Sequence, residues 1–308
     1  MGNRHNRVPP STCGESFASG ICWAGSDPVV MGTMMTDLGG NGKPLRPIHD
    51  ASVPSSARIY DYVLGGKDHY QVDRDAAEKV IAAFPTSRVA ARQNRQFMHR
   101  AVNALTELGV TQFLDIGTGI PTEPNLHQVA QAPTPEARVV YVDNDPIVLS
   151  HARALLTGTP EGRTAYVDAD LKDPKAILSA SELLETLDLE RPVALSLVAV
   201  LHFLSDEDDP YGIVETLMDA LAPGSFLVVS HITADLEPEM MTEALEVYRQ
   251  SGVYAQTRTR DEFARFFTGL ELLDPGIVVT NQWRPQGESP SWLDSQVNCW
   301  SAVGRKLG

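Results

Sequence analysis

Two apolar runs, each ending in turn and polar residues, limit most strongly what this chain can fold into: Phe113-Leu-Asp-Ile-Gly-Thr-Gly-Ile-Pro121 and Val139-Val-Tyr-Val-Asp-Asn-Asp145. Each reads as a buried strand, and the turn after the first is rich in glycine. Together they describe two parallel strands whose C-terminal ends face one ligand. Glycines in the first turn let the backbone approach that ligand, and an acidic residue after the second strand is placed to accept hydrogen bonds from a ribose diol. A cofactor containing a nucleoside is the first expectation.

The 308 residues suffice for one large core, or for one core with a small accessory lobe. No stretch approaches the roughly 20 apolar residues of a membrane helix, so no membrane partner is expected. The net charge of −15 argues against a nucleic-acid partner, which usually requires a basic face. Cys13, Cys22 and Cys299 are odd in number and widely spaced, a pattern of neither a disulfide framework nor a zinc site. No continuous apolar h-region follows Arg4 and Arg7, so a cytoplasmic location is expected.

Residues 1–53 are rich in Gly, Ser, Pro and Thr and lack periodicity, which predicts a disordered extension. Met31, Met34 and Met35 lie in it as candidate translation starts. From Ser87 to Leu108 the apolar residues Phe97, Ala101, Leu105 and Leu108 fall at helical spacing, with Gly109 as a stop. The opposite side carries Arg88, Arg92 and Arg95. That side reads as a solvated basic face, with Arg95 also a candidate for the cofactor.

Beyond residue 110 strand and helix signals alternate, the pattern of a parallel sheet covered on both faces. Strands are expected at Gln112–Ile116, Arg138–Asp143, Thr164–Val167, Val193–Val200 and Ser225–Ser230. The runs Gly276–Asn281 and Asn298–Gly304 follow one another without a helix, which predicts a hairpin and one antiparallel strand. Asp145-Pro146 and Asp173-Pro174 each set a capping carboxylate before a first-turn proline. Thr259 and Glu262 form a capping box. A seven-stranded sheet of this kind, mostly parallel with a terminal hairpin, is the Rossmann-like fold of class I methyltransferases rather than the NAD-type arrangement.

The first turn separates the cofactors further. A pyrophosphate site wants G-x-G-x-x-G, and here Thr122 stands at the third glycine. Asp115 at the strand end would repel a pyrophosphate, but it suits the ammonium and sulfonium of S-adenosylmethionine. On this reading Asp115 faces the methionine amino group, Gly117, Thr118 and Gly119 offer backbone, and Asp143 takes the ribose hydroxyls. Asn144 or Asp145 lies near the adenosine, although Asp145 also reads as a helix N-cap. Asp170, with Leu171 beside it, is placed for the adenine or else is a turn residue. Ala199, near the end of the expected fourth strand, completes the candidates.

The chain also resembles a known family. Pro54-Ser-Ser-Ala-Arg-Ile-Tyr-Asp-Tyr-Val-Leu-Gly-Gly-Lys-Asp68, the two strand runs above, and Val198-Ala-Val-Leu-His-Phe203 are similar to the actinobacterial S-adenosyl methyltransferases once called DUF574. The similarity runs from about residue 53 to the C-terminus. It implies a class I methyltransferase domain over 54–308, with a helical cap or lid at 54–109 and the core at 110–308. In the first motif Tyr60, Tyr62, Gly65 and Gly66 suit a lid that closes over the cofactor, or a surface turn packed by two tyrosines.

Methyl transfer from a sulfonium is an in-line displacement, so the protein positions the nucleophile and removes its proton where needed. His202 and His231 follow the fourth and fifth strands and are the candidate bases. No Asn/Asp-Pro-Pro-aromatic motif stands on the fourth strand, which disfavours bases and glutamine amides as acceptors. An oxygen or nitrogen of a small molecule is the expected acceptor. The stretch Asp235–Gln250 and the phenylalanines near Phe266 are candidates for one wall of its pocket, the phenylalanines also for core. Ser205-Asp-Glu-Asp-Asp-Pro210 reads as the acidic start of a helix, not a metal site. A homodimer is compatible with the sequence. The alternatives are a cofactor-binding regulatory protein without catalysis and an NAD-dependent oxidoreductase.

Overall fold

The computed structural model describes residues 52–155, 157–285 and 292–308. All fall in the second of the two units into which the chain divides, His49–Gly308. The expected extension, with Cys13, Cys22 and the three early methionines, lies outside the described residues except for Ser52 and Val53.

In chain order the elements are α1 (Ser56–Leu64), α2 (Gln71–Ala83), α3 (Ser87–Glu107), β1 (Gln112–Ile116), α4 (Leu126–Gln131), β2 (Arg138–Asp143), α5 (Pro146–Leu155), β3 (Arg163–Asp168), α6 (Pro174–Leu178) and α7 (Ser181–Leu184). There follow β4 (Ala194–Val198), α8 (Pro210–Asp219), β5 (Phe226–Ile232), α9 (Pro238–Gln250), α10 (Arg260–Ala264), β6 (Leu270–Leu272), β7 (Val278–Val279) and β8 (Cys299–Lys306). The caps act as their residues dictate: Asp173 accepts from the Ala176 amide, and Thr259 and Glu262 close a capping box.

One sheet runs β3-β2-β1-β4-β5-β8-β6, with β7 also paired to β8. β1 to β5 are mutually parallel, and β8 is antiparallel to β5. Eight strands stand where seven were expected, because the outer position is divided. Leu270 pairs with Lys306 and Val279 with Trp300, so β6 and β7 follow each other along one edge of β8. Asp274-Pro275-Gly276 between them cannot sustain a ladder.

Alternation along the strands sorts the core. Leu114, Ile116, Val140 and Leu195 pack toward α6, α7 and α8, while Phe113, Val139 and Tyr141 pack toward α3 and α4. Asp115 shares the face of Phe113. The strand order reverses between β1 and β4, and such a reversal opens a crevice at the carboxyl ends of the strands. α1 and α2 pack together through Ile59, Val63, Ala76 and Ala77, with Tyr248 of α9 against them.

Candidate functional site

A cavity of about 520 Å³ occupies that crevice. Its floor is the turn after β1. Gly117 sits at φ +75°, and a Cβ there would lie 2.4 Å from Val200 Cγ2, so only glycine fits between the β1 and β4 turns. Gly119, by contrast, faces open space. Its amide donates to Asp143 Oδ2 at 2.9 Å, and the Asp145 amide donates to Asp143 Oδ1 at 2.9 Å. The carboxylate is thus fixed at the end of β2.

Burial pushes both floor carboxylates up to about 6: Asp115 against the pull of Ser196 and Arg95, Asp143 against the amides of Asp145 and Gly119. A cation or a diol bound beside them would favour their charged forms. Arg95 lines the cavity, and its guanidinium donates to the carbonyls of Thr122 and Pro124. It is therefore an anchor for the β1–α4 loop as well as a wall, not a solvated residue.

α1 is tied over this floor by a buried ion cluster that the sequence reading did not single out. Arg58 is 4 % exposed, and its Nε donates to Asp73 Oδ2 at 2.7 Å. A second nitrogen lies 3.7 Å from Asp145 Oδ2, which also accepts from Ser55 Oγ at 2.8 Å. Asp145 caps α5 through the Ile147 amide at 2.9 Å as well, so the N-cap and the cavity-lining positions fall on one residue. A charged pair 15 residues apart has no periodic signature, although Arg58 on the apolar face of an amphipathic helix was a usable sign.

Gly65 and Gly66 do not line the cavity. The Gly66 amide donates to Asp61 O and the Gly65 amide to Tyr62 O, a Schellman stop to α1. The Asp61 carboxylate fills the space beside Gly66 and accepts from the Asp68 amide at 2.9 Å. The pair is a bound turn rather than a free hinge. Tyr62 also lies off the cavity, with its hydroxyl donating to Glu78 and Arg88 over its ring. Tyr60 does line it. Its hydroxyl donates to Ala91 O and accepts from Asn94 Nδ2. Asn94 Oδ1 accepts from the Ser230 hydroxyl at 2.5 Å, and Ser230 Oγ accepts from the Ala199 amide at 3.0 Å. This relay joins α1, α3 and β5 to Ala199, which holds a left-handed φ of 56° and ends β4 before the expected Val200.

The other half of the cavity lies beneath α2, α3 and α9. Val80, Phe84, Met241, Ala244 and Tyr248 line it, with Val200 and Phe203 opposite. Burial raises the Tyr60 and Tyr248 hydroxyls to about 12. His202 lines this half, its Nδ1 buried without a partner among the described residues. Burial first, then Arg258, lowers His202 to about 3. His231 does not reach the cavity. It is fully buried, its Nδ1–H donates to Ile232 O at 2.7 Å, and its Nε2 accepts from Arg258 at 2.8 Å. Both ring nitrogens are committed to structure.

Of the remaining candidates, Asn144, Leu171 and Ala199 line the cavity. Asp170 does not: it accepts from Asn144 Nδ2 and from the Lys172 amide, as a turn residue does. Phe263, Phe266 and Phe267 are core. The acidic run is spoken for by partners, since Asp206 pairs with Arg258 at 2.9 Å, Lys172 with Asp208 at 2.8 Å, and Asp209 accepts from the Gly212 amide as the cap of α8.

No curated protein matches the sequence. Among solved structures, a DUF574 family protein from Streptomyces avermitilis is similar at 49 % identity over 83 % of this chain and 99 % of that one, with a TM-score of 0.82. A Thermobifida fusca protein is similar at 38 % identity over 84 % and 97 %, TM-score 0.78. The plantazolicin methyltransferase BpumL, 14 % identical over 82 % and 96 % with a TM-score of 0.50, shares the fold. With the profile of the S-adenosyl methyltransferases matching residues 43–307, the chain belongs to that family and is an S-adenosylmethionine-dependent methyltransferase.

Proposed function

We propose that the protein methylates an oxygen or nitrogen of a small-molecule acceptor held under α2 and α9, with the cofactor seated on the β1 and β2 turns. One observation carries this reading: a single cavity joins the two carboxylates and the glycine turn to an apolar chamber at the ends of β4 and β5.

When bound, the cofactor supplies an electrophilic methyl on a cationic sulfur. Asp115 is the residue to hold its ammonium, Asp143 the ribose hydroxyls, and the backbone from Gly117 to Gly119 the space between them. Asn144 and Leu171 are the residues for the nucleoside. Ser55 and Ala57 of the α1 entrance cover that end, pinned through Asp145. α1 and α2 thus serve as the cap. The acidic surface supports a small molecule over nucleic acid, and a cytoplasmic setting fits the same reading.

Calorimetric titration with S-adenosylhomocysteine tests it. Binding to the wild type that is lost in Gly117→Val is the expected result. Equal binding by both proteins would remove the β1 turn from the site.

A further inference from the structure

The acceptor half of the cavity differs from the cofactor half in what it withholds. Among the described residues, the charged ones lining the cavity, apart from its histidine, are Arg95, Asp115, Asp143, Asp145 and Lys172. Asp115, Asp143 and Asp145 stand at the ends of β1 and β2, Lys172 pairs with Asp208, and Arg95 is held by two loop carbonyls. None is contributed by α2 or α9, and the one on α3, Arg95, is turned onto the carbonyls of the β1–α4 loop. A charged acceptor in that chamber would lose its hydration and find no counter-ion, a heavy penalty in an apolar surrounding.

Two side-chain polar atoms there are nonetheless buried and unpartnered among the described residues, His202 Nδ1 and Ser87 Oγ. Each residue is 6 % exposed and each lines the cavity. Buried polar groups are ordinarily satisfied; both residues line the cavity while these two atoms are closed to water, so a turn of each side chain is what brings them onto a ligand's polar group.

Resting on the function proposed above, we infer that the acceptor is an uncharged, mainly apolar molecule presenting a neutral hydroxyl to His202 Nδ1 and a second polar atom to Ser87 Oγ. The acceptor oxygen gives an electron pair to the new bond with the methyl carbon, the pair of the breaking sulfur–carbon bond stays on sulfur, and the hydroxyl proton passes to His202 Nδ1 and on to solvent. An imidazole as weakly basic as this one cannot strip an ammonium. It can accept a hydrogen bond from a hydroxyl and take the proton once the oxygen has become a far stronger acid by alkylation. That asymmetry favours a hydroxyl over an amine.

The probe is a series on one naphthalene frame, 2-naphthol, 2-naphthylmethylamine and 2-naphthoate, titrated calorimetrically into the full chain with and without saturating S-adenosylhomocysteine. The expected result is that 2-naphthol binds at least tenfold tighter than either charged analogue. His202→Leu should weaken 2-naphthol at least fivefold, His202→Asn should recover part of the loss, and S-adenosylhomocysteine should bind both variants within twofold of wild type, which also reports that they fold. A charged analogue binding as well as 2-naphthol, no binding by any of the three, or indifference of 2-naphthol to His202→Leu overturns the inference. Failure of S-adenosylhomocysteine to bind the wild type strikes the proposed cofactor seat instead, and the unliganded series still reads the acceptor class.

Discussion

At the ends of β1 and β2 the cavity is walled by backbone amides and carboxylates, Asp143 among them held by two amides, whereas beneath α2 and α9 it is walled by hydrocarbon and neutral hydroxyls. The first region is rigid because it is made of strand ends and a turn whose Gly117 leaves no room for a side chain. The second is made of helix faces that meet through Phe84, Met241 and Ala244, and it holds two buried polar atoms, His202 Nδ1 and Ser87 Oγ, without partners among the described residues. The difference teaches that one cavity can keep a fixed polar seat for a common cofactor and leave the acceptor wall to be reshaped by ordinary apolar substitutions.

The seam between the regions is the first place to break this contrast. Arg58→Ala leaves Asp73 buried and without its ion-pair partner, and loss of one partner of a buried pair costs about 3–5 kcal/mol; urea unfolding should show a drop of that order, with α1 then tied to Asp145 through Ser55 Oγ. A smaller but more local effect is expected at the polar seat. Asp115→Asn should weaken S-adenosylhomocysteine by about 10- to 100-fold, the equivalent of a hydrogen bond to a charged group, while leaving the 2-naphthol affinity within twofold. A parallel loss of both ligands in calorimetry would erase the distinction between the halves.

The pH dependence sharpens the contrast further. With Asp115 and Asp143 both near 6, cofactor-product affinity should rise with pH and level off above about 7, falling by up to about tenfold per unit and per group below about 6. The unliganded fold should respond in the opposite sense. Carboxyls whose folded values lie above their unfolded ones keep protons longer in the native state, so their contribution to stability is full below about pH 4 and is lost as pH rises through about 6. Parallel slopes in binding and in thermal unfolding would contradict the placement of both groups. Last and smallest, Ala199→Gly should relieve the left-handed backbone and stabilise the fold by about 1 kcal/mol or less, read by the same unfolding curves.

What could be read in advance follows the same division. β1 and β2 lie where alternation and turn chemistry place them, and Asp115, Gly117 and Asp143 are brought together because strand ends translate spacing into proximity. The acceptor wall was only half legible. Met241 and Ala244 on α9 look like the core face of any amphipathic helix, and Phe266, equally apolar, is core. The Arg58–Asp73–Asp145 cluster joins residues far apart in the chain, which no local pattern records. β6 has only three residues, too few for alternation to declare itself, and the double glycine read as a lid hinge because a Schellman stop and a hinge share the same residues. His231 resembled His202 in sequence position, and only the buried Arg258 separates them.

The divided outer strand has a consequence for how molecules of this protein meet. An unbroken edge of unpaired amides is a template on which a second chain can extend the sheet. Here that edge is offered as pieces of three and two residues, bent apart at a proline-containing turn. Sheet-to-sheet growth is thereby discouraged at this flank, in contrast to the opposite edge, where β3 runs undivided over six residues.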